Sequence, residues 1–330
     1  MNRIPAIRGM PQVITAAICL VILIAVFSLI SEDFASERNL RNLPRRTAPV
    51  LIAGIAQSVV LISGNIDLSI GSVAGMSCMI SATLMARGVS PLNASIITLI
   101  CCLIAGIING LLVARGRLPS FIATLGTMMV IRGIAQIINK NGRTELIGET
   151  ARAFRNLLYY GEQQFFGLRV FNTVLIALFL WVIFSLILSF TRTGRNLYAA
   201  GNNADAARMS GVNVPASVTA AYAASSLCAC IVGLITCATD GFGRPDAGTM
   251  YEMYAIAASV TGGISVLGGK GLLLGTLVGA SVWTVLQNGL MLAGPPTAAV
   301  NIASGIIIVI AVLRDVFVRE DKRKNQVNDN

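Results

Sequence analysis

Long runs almost without charge recur along this chain, and they constrain it more than any motif does. They cover residues 13–30, 47–64, 68–86, 93–114, 121–138, 171–190, 215–239, 254–267, 272–293 and 298–313. A bilayer core needs about 20 apolar residues in helical form. Continuous runs of this kind suit helices, whereas barrel strands alternate in polarity. Charged residues are only 12% of the 330, against roughly 25% in soluble domains. An ordinary soluble enzyme, a disordered chain and a coiled coil are thereby excluded. The expected fold is all-α: a polytopic transmembrane bundle of about ten spans, read as one domain over residues 1–330. The run 254–267 is too short to cross alone and reads as a broken or re-entrant helix, which survives at membrane depth only inside protein or beside a cavity.

The net charge of +10 fits cationic loops that set membrane topology. No basic stripe with interleaved aromatics suggests nucleic acid. The run 13–30 follows Arg3 and Arg8, exceeds a signal-peptide core and lacks a small-residue cleavage site, so it reads as a retained first helix. Ten spans with both termini cytoplasmic put slightly more cations inside than outside. The cluster Arg314, Arg319, Lys322, Arg323 and Lys324 decides that orientation, while the basic segment 37–46 sits awkwardly outside. Residues 139–170 are then an extracytoplasmic loop, 191–214 a cytoplasmic loop and 319–330 a polar cytoplasmic tail. An echo between residues 109–114 and 288–293 hints at an internal repeat, but a second echo has a different offset.

Catalytic chemistry has little to work with. The chain has no histidine, the commonest general base and metal ligand, and no metal site is expected. The seven cysteines all lie in apolar segments and read as small buried hydrophobes, not as a disulfide framework. The run Gly268-Gly269-Lys270-Gly271 lacks the spacing and the hydroxyl of a phosphate-binding loop, so any ATP must be bound by a partner.

One carboxylate stands out at membrane depth: Asp67, in Ser63-Gly64-Asn65-Ile66-Asp67-Leu68-Ser69. Such a charge marks a functional or pairing site. Two readings stand: Asp67 or Ser69 caps the broken end of the next helix, or Asp67 serves gating or solute contact. Arg132, the one cation inside an apolar run, is a candidate partner for Asp67. Asn109, Gln287 and Asn288 are amides inside apolar spans, suited to interhelical hydrogen bonds or to lining a path. The spacings Gly71-x3-Gly75, Gly106-x3-Gly110 and Gly271-x3-Gly275-x3-Gly279 suit close helix packing. Trp181 and Trp283 read as interface or core anchors.

Within the loop 191–214, residues 203–210 are Ala-rich, with Asp205 early, Arg208 late and Gly211 as a stop. A short polar helix at the membrane surface suits docking into a partner's groove or a plain connection.

From about residue 34 to 313 the chain resembles the membrane permease of ribose-type ABC importers. Four blocks carry the resemblance: 64–72 (GNIDLSIGS); 109–116 with 121–128 and Arg132-Gly133; the loop 191–214; and Tyr251-Glu252 with 255–258, Gly262-Gly263, 268–271 and 275–279. It implies a bacterial cytoplasmic-membrane protein that works with a second permease copy, an ATPase partner and a periplasmic solute-binding protein. ATP and Mg would sit on the ATPase, with no cofactor in this chain. It also implies docking on that ATPase through Gly201, Asn203, Ala207, Arg208 and Gly211, and a translocation core around Gly64, Asp67 and Glu252. Two departures from the family pattern are visible: Asn65 replaces a glycine, and Met253-Tyr254 stands where Leu-Asp is usual. A homologue paired with a different permease would tolerate the lost acid, so homodimer and heterodimer both stand.

The expected function is passage of a small polar solute, a monosaccharide by resemblance, with no covalent step on this chain. The alternative is an ion-coupled secondary transporter using Asp67. A membrane-embedded enzyme lacks candidates.

Overall fold

The computed structural model describes residues 6–294, apart from 141, 147, 166 and 167, together with isolated positions between 298 and 309. Twelve α-helices carry the described fold: α1 (Ala6–Ile30), α2 (Glu37–Ile62), α3 (Ile70–Ala86), α4 (Pro91–Ala114), α5 (Ser120–Ile138), α6 (Gly148–Arg155), α7 (Asn172–Phe190), α8 (Arg192–Asn202), α9 (Ala204–Met209), α10 (Val214–Asp240), α11 (Tyr251–Thr261) and α12 (Leu273–Leu292). Among the described residues, sheet is confined to two short antiparallel pairs. β1 (Thr144–Glu145) pairs with β4 (Phe242–Gly243), and β2 (Glu162–Phe165) pairs with β3 (Leu168–Phe171).

Seven of these helices are long and apolar enough to cross a membrane; α3, with 17 residues, is shorter. Seven span-length helices are thus found among the described residues, against the ten apolar runs of the sequence. The run 298–313 lies largely outside the described residues, as do Arg3, the basic cluster 314–324 and the tail 319–330. The helix expected at 254–267 ends at Thr261 and gives way to a loop rich in positive-φ glycines: Gly263, Gly268, Gly269 and Gly271.

Burial sorts the helices into two classes. In α2 nearly every residue from Ala48 to Ile62 is buried, and α3 and α10 are largely buried too. A helix apolar all round is a core element. These three pack on one another, with α4 against α10, α5 against α3, α7 against α2, α11 against α2 and α12, and α1 against α12. The outer helices α1, α4, α5 and α7 expose Ile22, Ile100, Met129 and Phe179 among many large apolar side chains, as a lipid-facing surface does. Cys19 is exposed and Cys101 half-buried, which corrects the expectation that all seven cysteines are buried. The other five are, and all seven are free thiols.

The basic segment 37–46 turns out to be the first turns of α2. Ser36 caps it, its Oγ accepting from Asn39 N at 3.3 Å, and Glu37 occupies the first turn. Its cations are fixed by long-range partners: Arg41 pairs with Glu162 of β2 at 2.6 Å, and the Arg45 guanidinium lies 3.2 Å from the ring centre of Tyr159. This is why a charged stretch continues a transmembrane helix instead of forming a loop.

The glycine spacings do mark close packing. A Cβ at Gly106 would come within 2.6 Å of Tyr222 O, and one at Gly110 within 2.6 Å of Thr219 Cα, so α4 lies directly on α10. Gly275 and Gly279 meet Gly262 O and Ala258 O in the same manner, which brings α12 onto α11. A hydroxyl cluster ties both to α2: Ser58 Oγ donates to Ser259 Oγ at 2.9 Å and lies 2.7 Å from Thr276 Oγ1. Trp283 is buried in α12, and Trp181 Nε1 donates to Leu273 O at 2.9 Å.

Candidate functional site

The link between α2 and α3 is a polar break surrounded by core helices. α2 stops because Gly64 takes a left-handed conformation at φ 83°. Asp67 then closes an Asx turn ahead of α3: its Oδ1 accepts from Ser69 N at 2.9 Å and from Ser69 Oγ at 2.6 Å. Its Oδ2 accepts from Ser225 Oγ of α10 at 2.7 Å. Ser69 stands at the N-cap position of α3 but makes no side-chain cap bond. Asn109 Nδ2 of α4 donates to Ser69 Oγ at 2.8 Å, and Tyr222 Oη donates to Ile66 O at 2.9 Å. Asp67, Ser69 and Asn109 are all wholly buried. Asn65, where a glycine is usual, donates to Ser63 O and Ser63 Oγ at 3.1 Å and so satisfies itself locally.

Arg132 does not pair with Asp67. Ser120, at the start of α5, lies beside the break, its Oγ accepting from Ile66 N at 3.3 Å. Arg132 is twelve residues further along α5, about 18 Å up the helix axis. Its Nη1 instead donates to Pro245 O at 2.7 Å and Ala247 O at 2.9 Å. It thereby pins the segment before α11 over Gly75, where a Cβ would meet Arg132 Nη1 at 2.6 Å. Glu252, in the first turn of α11, lies against Gly71 of α3, and its Oε2 is buried without a hydrogen-bond partner among the described residues. Tyr254 packs on Trp283, ring centres 5.7 Å apart, and on Tyr251 at 5.9 Å. An aromatic cluster thus occupies the place of the missing acid.

A cavity of about 1290 Å³ opens between the ends of α2, α10, α11 and α12, beside the segment 139–171. Asn39, Arg46, Asp240, Tyr251, Gln287 and Asn288 are among its walls. Asn288 is at the centre of a relay: its Oδ1 accepts from Arg46 Nη1 at 2.7 Å, and its Nδ2 donates to Asn39 Oδ1 at 3.0 Å. The expected translocation residues therefore fall into three groups. Gly64, Asp67, Ser69 and Asn109 form the break, Arg132 and Glu252 brace the entry to α11, and Gln287 with Asn288 faces the cavity. Asn39 and Arg46 escaped the sequence reading because their segment looked like a loop; only the polar spacing inside α2 signals them.

At the opposite ends of the helices, α8 and α9 form a two-helix step. Asn203 caps α9, its Oδ1 accepting from Asp205 N and Ala206 N, both at 3.0 Å. Arg208 pairs with Asp205 at 2.7 Å, and Gly211 ends the step at φ 82°. Asn203, Arg208 and Gly211 are exposed, whereas Ala207 is buried. Met209 is 91% exposed at the tip of α9; a lone methionine in a polar six-residue helix was its only signal. Gly201 differs from the rest. It is half-buried and faces inward, against Gly64 and Gly269.

Residues 39–312 match the family described as "Branched-chain amino acid transport system / permease component". The ribose import permease protein RbsC of Escherichia coli (strain K12) is 35% identical over 299 residues, covering 90% of this chain and 92% of that protein. The same-named protein of Bacillus subtilis (strain 168) is 35% identical, covering 93% and 94%. The autoinducer 2 import system permease protein LsrC of E. coli O9:H4 is 30% identical, covering 92% and 86%. No solved structure matches the chain. With seven span-length helices and a match across most of its length, the chain belongs to this family of membrane permease components.

Proposed function

We propose that this chain is the membrane subunit of a binding-protein-dependent ABC importer for a monosaccharide or a comparable small polyol. The observation that carries the proposal is the placement of two polar surfaces at opposite ends of one buried helix core. The cavity walled by Asn39, Arg46, Gln287 and Asn288 receives solute from the binding protein outside. The exposed step of Asn203, Arg208, Met209 and Gly211 meets an ATPase inside. ATP and Mg act on that partner, and this chain carries no cofactor. The protein sits in a bacterial cytoplasmic membrane with both termini cytoplasmic and about ten spans. A second permease copy packs beside this chain.

The family's description names branched-chain amino acids, while the relatives above are named for ribose and autoinducer 2. The chemistry of the cavity favours a polyol. Each sugar hydroxyl both donates and accepts; the Gln287 amide at this wall offers a donor and an acceptor, and Arg46 offers further donors. Asp67 is wholly buried, and Ser69 and Ser225 already hydrogen-bond both its oxygens. That weighs against the ion-coupled alternative.

The test is co-purification of the tagged protein in mild detergent, with mass spectrometry of its partners. The wild type is expected to bring down an ATPase, and the double substitution Arg208→Glu/Gly211→Pro to lose it. Uptake of labelled ribose, and not of labelled leucine, is expected in cells expressing the full set. A protein that purifies alone and transports equally well with the double substitution would sink the proposal.

A further inference from the structure

Gly201, carried on α8, touches both interruptions of the helix core at once. A Cβ there would strike Ile62 O, the last carbonyl of α2, and would lie 2.8 Å from Gly269 N and 3.0 Å from Gly64 N. From the other side, a Cβ at Gly268 would lie 2.7 Å from both Gly201 O and Gly64 Cα, and one at Gly269 would lie 2.7 Å from Asn202 Cα. Three backbones therefore meet with no side chain between them. Gly269 N donates to Ile62 O at 2.9 Å, which joins the two interruptions directly. Tyr198, one turn before Gly201, donates from Oη to Gly271 O at 2.8 Å. Burial pushes the Tyr198 hydroxyl up to about 12, so it stays a donor at neutral pH.

We propose that Gly201 is a positioning residue of the transport cycle, locking the α8–α9 step to both breaks in the core so that they move as one unit. The proposal rests on the importer reading above, in which α9 meets the ATPase, but assigns Gly201 a different task from docking. A contact with a single break would let the other stay behind when α9 is displaced. Contact with both, at backbone distance, leaves no slack, because packed backbones have few alternative arrangements. A side chain at position 201 would act as a wedge between α8 and the two breaks without altering the exposed face of α9.

The test uses the complete importer, reconstituted in proteoliposomes with its ATPase and binding protein. Gly201→Ala is expected to co-purify with the ATPase at the wild-type ratio. The solute imported per ATP hydrolysed should fall by about tenfold, the range of a disturbed coupling network. Tyr198→Phe adds no volume and covers the case in which the alanine variant does not fold; it is expected to lower the same ratio by about threefold. An unchanged ratio in a folded Gly201→Ala complex, or in Tyr198→Phe where the alanine variant does not fold, would overturn the proposal. So would loss of the ATPase from Gly201→Ala, which would make Gly201 a docking residue. A wild-type protein that recruits no ATPase would instead overturn the importer reading itself.

Discussion

The two interruptions of the core are built differently. The link between α2 and α3 is held by side chains reaching in from three other helices: Ser225 and Tyr222 from α10, Asn109 from α4 and Ser120 from α5. The loop between α11 and α12 receives one such bond, from Tyr198, and otherwise relies on its own turns, on the Gly269 N–Ile62 O backbone bond and on glycine contacts. Several hydrogen bonds converging on one buried site leave it few alternative arrangements, so the first link is a fixed anchor. Glycine packing fixes distance but not direction, so at the second link α11 and α12 can tilt about a contact that Gly201 and the Gly269 N–Ile62 O bond hold to the first. The flanking hydroxyl cluster of Ser58, Ser259 and Thr276 keeps α11 and α12 attached to α2. An importer that changes access needs both kinds of joint: one that holds register and one about which its helices tilt without losing that register.

Asp67→Ala should break this comparison most severely. It would strand Ser69 N, Ser69 Oγ and Ser225 Oγ in a dry site, and each unsatisfied buried group costs about 1–3 kcal/mol. The expected outcome is little folded protein after detergent extraction, read by size-exclusion chromatography. Asp67→Asn, which keeps the shape and one good acceptor, should restore the folded peak. A well-folded Asp67→Ala protein with normal melting would show that the break is not anchored there.

Next in size is Gly275→Val. The added side chain would collide with Gly262 O at the α11–α12 contact. Overpacking of this kind costs about 1–3 kcal/mol. Because the adjoining loop yields, the protein is expected to fold with a lowered melting temperature and reduced solute uptake. An equal loss of folding in Asp67→Ala and Gly275→Val would erase the distinction between the two joints.

What sequence reading captured follows the same division. Local features were legible. The helix expected over residues 203–210 is α9, Asn203 caps it, and Gly211 ends it. The stop at Gly64 and the Asp67–Ser69 turn are set by neighbours in the chain. Features set by distant packing were not legible. Arg132 was matched to Asp67 because both are charges in apolar surroundings, yet their heights along the bundle differ. The outer turns of α2 read as a loop until Glu162, Tyr159 and Asn288 supplied partners for Arg41, Arg45 and Arg46. Gly201 is named as a docking residue only by the family resemblance, and a short helix has no periodicity long enough to show that it faces inward.

Asn65→Gly sharpens the comparison with the smallest effect. It returns the usual family residue to the break. The Asn65 amide bonds only within its own turn, to Ser63, while the anchor runs through Asp67, Ser69 and Ile66. Losing a local hydrogen bond and adding backbone freedom to the unfolded chain together amount to about 1 kcal/mol. Melting should drop by a few degrees, and solute imported per ATP should not change. A large loss of transport with normal folding would mean that the amide itself faces the solute path. The α2–α3 break would then be a moving joint as well as an anchor, and the division of labour between the two interruptions would have to be drawn elsewhere.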